Sequence, residues 1–263
     1  MSAKDSQHRV HHGQQQVASD AATTHTHAAG AAVTPLLPIC PRGQIKTRER
    51  VRALAEVYTH AREVNAMLDL IPDMFPADSI AAVDKTFLEP ACGSGNFLEA
   101  ILRRKLAGVR FGKVRQAARY EHWLLRALAS IYGVDIAPDN VAESRLRLLE
   151  VTRSHYANDA NTLTPSEGFV SAAHAIVEGN IIHADFLADA AATEVIEYQP
   201  LRAGMFLRCW SLLDDSAEAQ SEPDLFNPTP QPKRDAVPLH YSELAAHPEP
   251  TRAATLKPLR KGA

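Results

Sequence analysis

Residues 89–97 read EPACGSGNF and follow the apolar pair Phe87-Leu88. Gly93 and Gly95 stand two apart, and glycine weakens regular structure wherever it is not needed, so this pair marks a backbone that no side chain can crowd. An apolar periodic run from Phe97 to Leu106 follows and predicts a helix. A strand, a glycine turn and a helix N-terminus together make a cradle for a nucleotide-like ligand. Asp135, in YGVDI, ends a later β-forming stretch, where a carboxylate can accept from both hydroxyls of a ribose. Asp185, in GNIIHADFL, ends another. Dinucleotide folds place their acid about 20 residues beyond the glycines, whereas 40 separate Gly95 from Asp135, and Leu98 stands where the third glycine of GxGxxG would fall. NAD is therefore disfavoured, and a ligand without a pyrophosphate has less need of the third glycine.

The elements that must position these residues are visible as periodicities. Leu54, Val57, Ala61, Val64, Met67, Leu68 and Ile71 fall at helical spacings that Pro72 ends, and Thr59 stands where a cap could open the second half. KTFL, 85–88, reads as a short buried strand, followed by helices at about 95–107 and 113–129. SIYGVDI is a second strand, and Pro138 suits the first turn of the helix after it. A polar loop at about 157–168 leads to HAIVEGNIIHADFL, read as a third strand ending near Asp185. GMFLRCWSLLDD reads as a closing strand and turn. Strands alternating with helices predict an α/β fold with a largely parallel sheet.

Composition bounds the rest. Residues 1–44 carry five of the twelve histidines and a glutamine run, and 215–263 hold eight of the seventeen prolines. Both read as disordered tails, because neither composition buries enough apolar surface to offset its ordering entropy. The histidines lack the acids or cysteines of a metal site, and the folded domain is expected at 45–214. Three cysteines without CxxC spacing point to a reduced, cytoplasmic compartment, and no run is long enough to span a membrane. From Arg103 to Arg126 there are eight Lys or Arg residues against one acid, Glu121. That stretch is either a solvated helical face or a phosphate-contacting surface.

EPACGSGNFL resembles the S-adenosylmethionine-binding motif of the adenine-N6 DNA methyltransferases of restriction-modification systems. The resemblance covers about residues 50 to 190 and implies a Rossmann-like class I methyltransferase fold with S-adenosylmethionine as cofactor. It implies cofactor-binding roles for Tyr58 and Thr59 in the upstream segment EVYTHAREVNAMLDLI. Around the glycine turn it implies them for Glu89, Ala91, Gly93, Gly95, Asn96 and Phe97, and further on for Asp135, Ile136, Asp185 and Phe186. In this likeness Glu89 binds the ammonium or nearby backbone of the methionine part, and Asp135 binds the ribose. Asp185 accepts from the adenine amino group while Phe186 packs on its ring. Cys92 reads as a small packing residue rather than a nucleophile.

One part of the pattern is missing. Adenine N6 is a poor nucleophile, and the family meets this with an Asn/Asp/Ser-Pro-Pro-aromatic tetrad that holds the amino group and stacks on the flipped base. No Pro-Pro occurs in this chain. Glu197-Tyr198-Gln199-Pro200 stands at about the expected place with the wrong order and residue types. No catalytic residue and no metal site is assigned, and no target-recognition domain is expected in the residues that remain. Three readings follow: a DNA methyltransferase whose catalytic residues come from another chain, such as a second methyltransferase or specificity subunit, or are not yet recognised in this one; a cofactor-binding but non-catalytic subunit or remnant; and a methyltransferase of a non-DNA substrate.

Overall fold

A computed structural model describes residues 59–76, 80–214 and 233–251, all within one compact unit running from Gly43 to Ala263. Tyr58 and the segment 1–44 lie outside the described residues. Helix α1 (Ala61–Leu68) is capped by His60, whose Nδ1 accepts from the Arg62 amide at 3.1 Å, one residue after the expected Thr59. Strand β1 (Phe87–Glu89) passes through the glycine turn into α2 (Asn96–Ala107). The helix expected at 113–129 is two, α3 (Phe111–Val114) and α4 (Ala117–Ala129), split at Arg115, whose φ of 56° breaks the first. Strand β2 (Ile131–Asp135) then feeds α5 (Pro138–Asp159), with Pro138 in its first turn as expected.

The third strand is much shorter than the sequence suggests. HAIVEGN belongs to helix α6 (Glu167–Asn180), and only Ile181–His183 forms β3. The helical signal lies upstream. Ser166 caps the helix by accepting from the Phe169 amide at 3.1 Å, and Phe169, Ala172, Ala173, Ile176 and Val177 recur at helical spacing and are all buried. A single turn, α7 (Phe186–Asp189), follows β3.

Strands β1, β2 and β3 form a parallel sheet in that order, with Glu89 opposite Gly133 and Asp135 opposite His183. The central strand is buried along its whole length, as a strand covered on both faces must be. Gly133 lets the glycine turn and α2 press on it, since a Cβ there would lie 2.8 Å from Leu98 Cδ1 and 3.1 Å from Cys92 Sγ. The later strands are antiparallel: β4 (Glu194–Pro200) and β5 (Met205–Leu212) make a hairpin, and the short β6 (Lys233–Arg234) and β7 (Leu239–His240) both pair with β5. The described fold is thus mixed α/β, a three-stranded parallel sheet flanked by helices and joined by a separate antiparallel sheet.

Residues 233–251 correct the reading of 215–263 as one disordered tail. Arg208 of β5 is 2 % exposed and holds Asp235 through Nε at 2.8 Å and Nη2 at 3.0 Å. Burial alone would raise the Asp235 carboxyl, but the Arg208 guanidinium and the Thr251 amide hold it below the usual range. Tyr241 donates to the buried Glu121 of α4 at 2.7 Å, and that carboxylate also accepts from the Ser166 amide and hydroxyl and from Tyr156. Tyr241 and Leu244, on a 3₁₀ turn (Tyr241–Ala246), join the same apolar core as α4 and α6. The prolines at 238, 248 and 250 therefore punctuate a folded segment.

Candidate functional site

The parallel sheet brings Glu89, Asp135 and Asp185 to neighbouring strand ends, because each follows or closes the C-terminal end of β1, β2 or β3. Between the first two runs the glycine turn. Gly93 and Gly95 have φ of 53° and 88°, a region that residues with side chains rarely adopt. The two glycines differ in surroundings. A Cβ on Gly95 would meet Ser144 Oγ at 2.8 Å and Ser144 Cα at 3.1 Å, so α5 packs against this residue. A Cβ on Gly93 would meet nothing within 4 Å, so that turn faces open space.

Asp135 fixes the turn from below. Its Oδ2 accepts from the Gly93 amide at 2.8 Å, and its Oδ1 accepts from the Ala137 amide at 2.9 Å and from Asn140 Nδ2 at 3.2 Å. Ser144 Oγ donates to the Gly93 carbonyl at 2.8 Å. Asn140 and Ser144 are positioning residues, and of the two sequence reasoning missed Ser144. Their spacings of five and nine from Asp135 put both on the buried first turns of α5, the one signal that could have found them. Burial raises the half-buried Glu89 carboxyl, against a hydrogen bond from the Ala91 backbone. Burial first, and then the charges of Asp135 and Glu89, push the Cys92 thiol up to about 12, which leaves it without nucleophilic character and supports its packing role.

Asn96 joins the upstream segment to this turn: its Nδ2 donates to the Thr59 carbonyl at 3.2 Å, and its Oδ1 accepts from Arg147 Nη1 at 2.7 Å. Thr59 is thus brought to the glycine turn from 37 residues away. Ala91 is exposed on the turn, Phe97 is half-buried against the core, and Ile136 is 52 % exposed just beyond Asp135. Asp185 caps α7, both bonds from Leu187 and Ala188 amides falling on Oδ1, with Phe186 half-buried beside it.

The segment at the expected acceptor position lies elsewhere. Glu197 to Pro200 sit in β4, where Tyr198 packs edge-on to Phe206 at 5.9 Å and burial holds its hydroxyl far above the ordinary range. The basic stretch is also divided. Arg103, Arg104, Arg110 and Arg126 pair with Glu99, Asp69, Asp159 and Asp84. Lys105 is fully buried, donating to the Ala82 and Val83 carbonyls, the Lys85 carbonyl and Ser130 Oγ. Lys113, Arg115 and Arg119 form no ion pair with a described residue. Among the described residues there is no cluster of metal-binding side chains and no helix long and apolar enough to cross a membrane.

No family model and no solved structure matches the chain. Over 96 residues, 36 % of its length, the chain is 35 % identical to the adenine-specific methyltransferase PglX of Streptomyces coelicolor, and it spans 8 % of that protein. The match supports a methyltransferase relationship, and with it, in general terms, use of a methyl donor.

Proposed function

We propose that the chain is a Rossmann-like class I methyltransferase domain that binds S-adenosylmethionine over the glycine turn and serves adenine-N6 methylation of DNA within a restriction-modification system. The observation that carries this reading is the open space over Gly93, whose amide donates to the Asp135 carboxylate at 2.8 Å. The donor set fits the cofactor in type. A carboxylate offers about four acceptor sites, and Asp135 commits three, one of them on Oδ2. Glu89 would hold the ammonium, Asp135 one ribose hydroxyl through its remaining Oδ2 site, and Ile136 and Phe186 the faces of the adenine. Thr59, held by Asn96, would close over the methionine end. When bound, the sulfonium supplies an activated methyl group.

The acceptor side supports a dependence on a partner. Catalysis needs N6 held in line with the methyl group, and positioning of that kind accounts for about 7–11 kcal/mol of a barrier. Tyr198 is packed into the second sheet, and the sequence contains no Pro-Pro. The isolated chain should therefore bind donor and transfer methyl groups slowly or not at all, until a second methyltransferase or specificity subunit adds the acceptor residues.

Calorimetry tests the donor half. S-adenosylmethionine should bind the full chain in preference to NAD, and Asp135→Ala should weaken it by roughly 10- to 150-fold, the cost of about 1.5–3 kcal/mol for a lost charge-assisted hydrogen bond. Equal binding to Asp135→Ala would remove that residue from the site. Labelled-methyl transfer to adenine by the chain alone, abolished by Gly93→Val, would overturn the need for a partner.

A further inference from the structure

Three polar residues recur along one face of α5 at spacings of four and three: Asn140, Ser144 and Arg147. The stripe beside them, Val141, Leu148 and Val151, packs into the core. Each polar residue meets a different part of the glycine cradle. Asn140 Nδ2 donates to Asp135 Oδ1 at 3.2 Å, and Ser144 Oγ donates to the Gly93 carbonyl at 2.8 Å. Arg147, one turn further along, reaches the first residue of α2: its Nη1 donates to Asn96 Oδ1 at 2.7 Å. The first two residues hold the acid and the turn. The third acts on the segment upstream of both.

Arg147 is itself held firmly. Its side chain is 15 % exposed, its Nη2 donates to Glu143 one turn back, and Glu99 of α2 lies 3.8 Å from its Nη1. A guanidinium only donates, so Asn96 must present Oδ1 to it. The other end of the same amide, Nδ2, then faces the Thr59 carbonyl, which only accepts, at 3.2 Å. Turned over, the amide would set its N–H groups against those of the arginine and its oxygen against a carbonyl. Arg147 therefore decides which way Asn96 points, and with it whether Thr59, the residue before the cap of α1, is tied to the glycine turn. That tie matters to a short element. Helix α1 has eight residues and buries Val64 and Leu68. Its far end is held from α2 by Arg104, which donates to the Asn65 carbonyl at 3.1 Å and to Asp69 Oδ1 at 2.7 Å. Asn96 holds the near end.

We propose that Arg147 is a positioning residue of the donor site: by orienting the Asn96 amide it fixes Thr59 and the start of α1 beside the glycine turn. This role rests on the reading of the turn as a donor site, and the test separates the two. Hydrogen exchange on the full chain without ligand reads the tie itself. Arg147→Met and Asn96→Asp should each speed exchange of the amides of 62–68 by about 3- to 10-fold, the range of one hydrogen bond, and leave those of 131–135 unchanged. Asn96→Asp is the sharper variant. It keeps a partner for Arg147 and puts an acid in the first turn of α2, so its stability in urea should equal or exceed that of the wild type while Thr59 loses its donor. Calorimetry with S-adenosylmethionine reads the consequence. Arg147→Met should weaken binding by about 3- to 10-fold in the wild-type background and have no further effect in Asn96→Ala, because it acts through that amide. A loss that persists in full in Asn96→Ala would overturn the role and leave Arg147 as a partner of Glu143. Donor binding by the wild type with unchanged exchange in both tie variants would also overturn it, without touching the donor site. No donor binding by the wild type would overturn the role together with the donor-site reading.

Discussion

The strand ends around the glycine turn and the sheet of β4 to β7 use buried polar groups in opposite ways. At the turn, Asp135 keeps acceptor capacity after three hydrogen bonds, Glu89 has its carboxyl raised by burial, and Gly93 borders open space. In the second sheet, Arg208 and Asp235 satisfy each other and the backbone around them, with Arg208 also donating to the His247 and Glu249 carbonyls. One region leaves polar capacity unspent; the other spends it on packing. The proposed cofactor site and the structural lock are thus distinguished by their unspent bonds rather than by residue type, since both are built from carboxylates at strand ends.

The largest expected effect comes from breaking the lock. Asp235→Ala leaves the Arg208 guanidinium buried without its partner and should cost about 3–5 kcal/mol by urea denaturation at pH 7. Arg208→Met combined with Asp235→Leu should recover most of that loss, because an apolar pair leaves no charge unpaired. Ending the chain after residue 214 removes Asp235 and Tyr241 together, and the shortened protein should lose cooperative unfolding. A loss below about 1 kcal/mol for Asp235→Ala, the scale of an ordinary surface change, would show that the second sheet is held by something else.

These contacts explain what the sequence revealed and what it concealed. The glycine turn, β2 and α5 were legible because their signals are local: two glycines, a β-branched run and a proline in the first turn of a helix. The ordering of 233–251 is not local. Its partners lie 27 residues away for Asp235 and 120 for Tyr241, and its own strands are two residues long, too short for an alternating pattern. The missed start of α6 has a different cause. HAIVEG is equally apolar as a strand or as the last turns of a helix, and the signals that decide between them, the cap at Ser166 and the spacing from Phe169, lie upstream. At the site, Asp135 was visible as an acid ending a β run, while Ser144 was not, because its only signal is a spacing of nine that puts it on a buried turn of α5.

A middle-sized effect separates the two regions by pH. Burial, and then the charge of Arg126, push His122 down to about 4 from an ordinary value of 6.5. The unfolded chain therefore binds a proton on this residue between pH 6.5 and 4 that the folded chain does not. Its contribution is fully present above pH 6.5 and is lost as pH falls through 4, a change of about 3 kcal/mol. Chemical denaturation from pH 7 to 4 should show this decline in the wild type and a shallower one in His122→Phe. Parallel curves for the two proteins would mean that His122 is protonated without penalty.

The smallest effect sharpens the comparison most, because it removes a single atom. Tyr241→Phe deletes the hydroxyl that donates to Glu121 Oε2 at 2.7 Å and leaves the ring in the core. The carboxylate keeps the Ser166 amide at 2.8 Å, the Ser166 hydroxyl at 2.7 Å and the Tyr156 hydroxyl at 3.3 Å. Because the carboxylate stays buried with one partner fewer, the loss should be about 1–3 kcal/mol, the cost of leaving a buried acceptor unsatisfied. Donor binding at the glycine turn should be unchanged, since Glu121 and its partners lie on α4, α5, α6 and the 3₁₀ turn, apart from the strand ends. Global stability and donor affinity measured on the same preparation decide the point. A variant that loses donor affinity while keeping its stability would join the two regions that the structure holds separate.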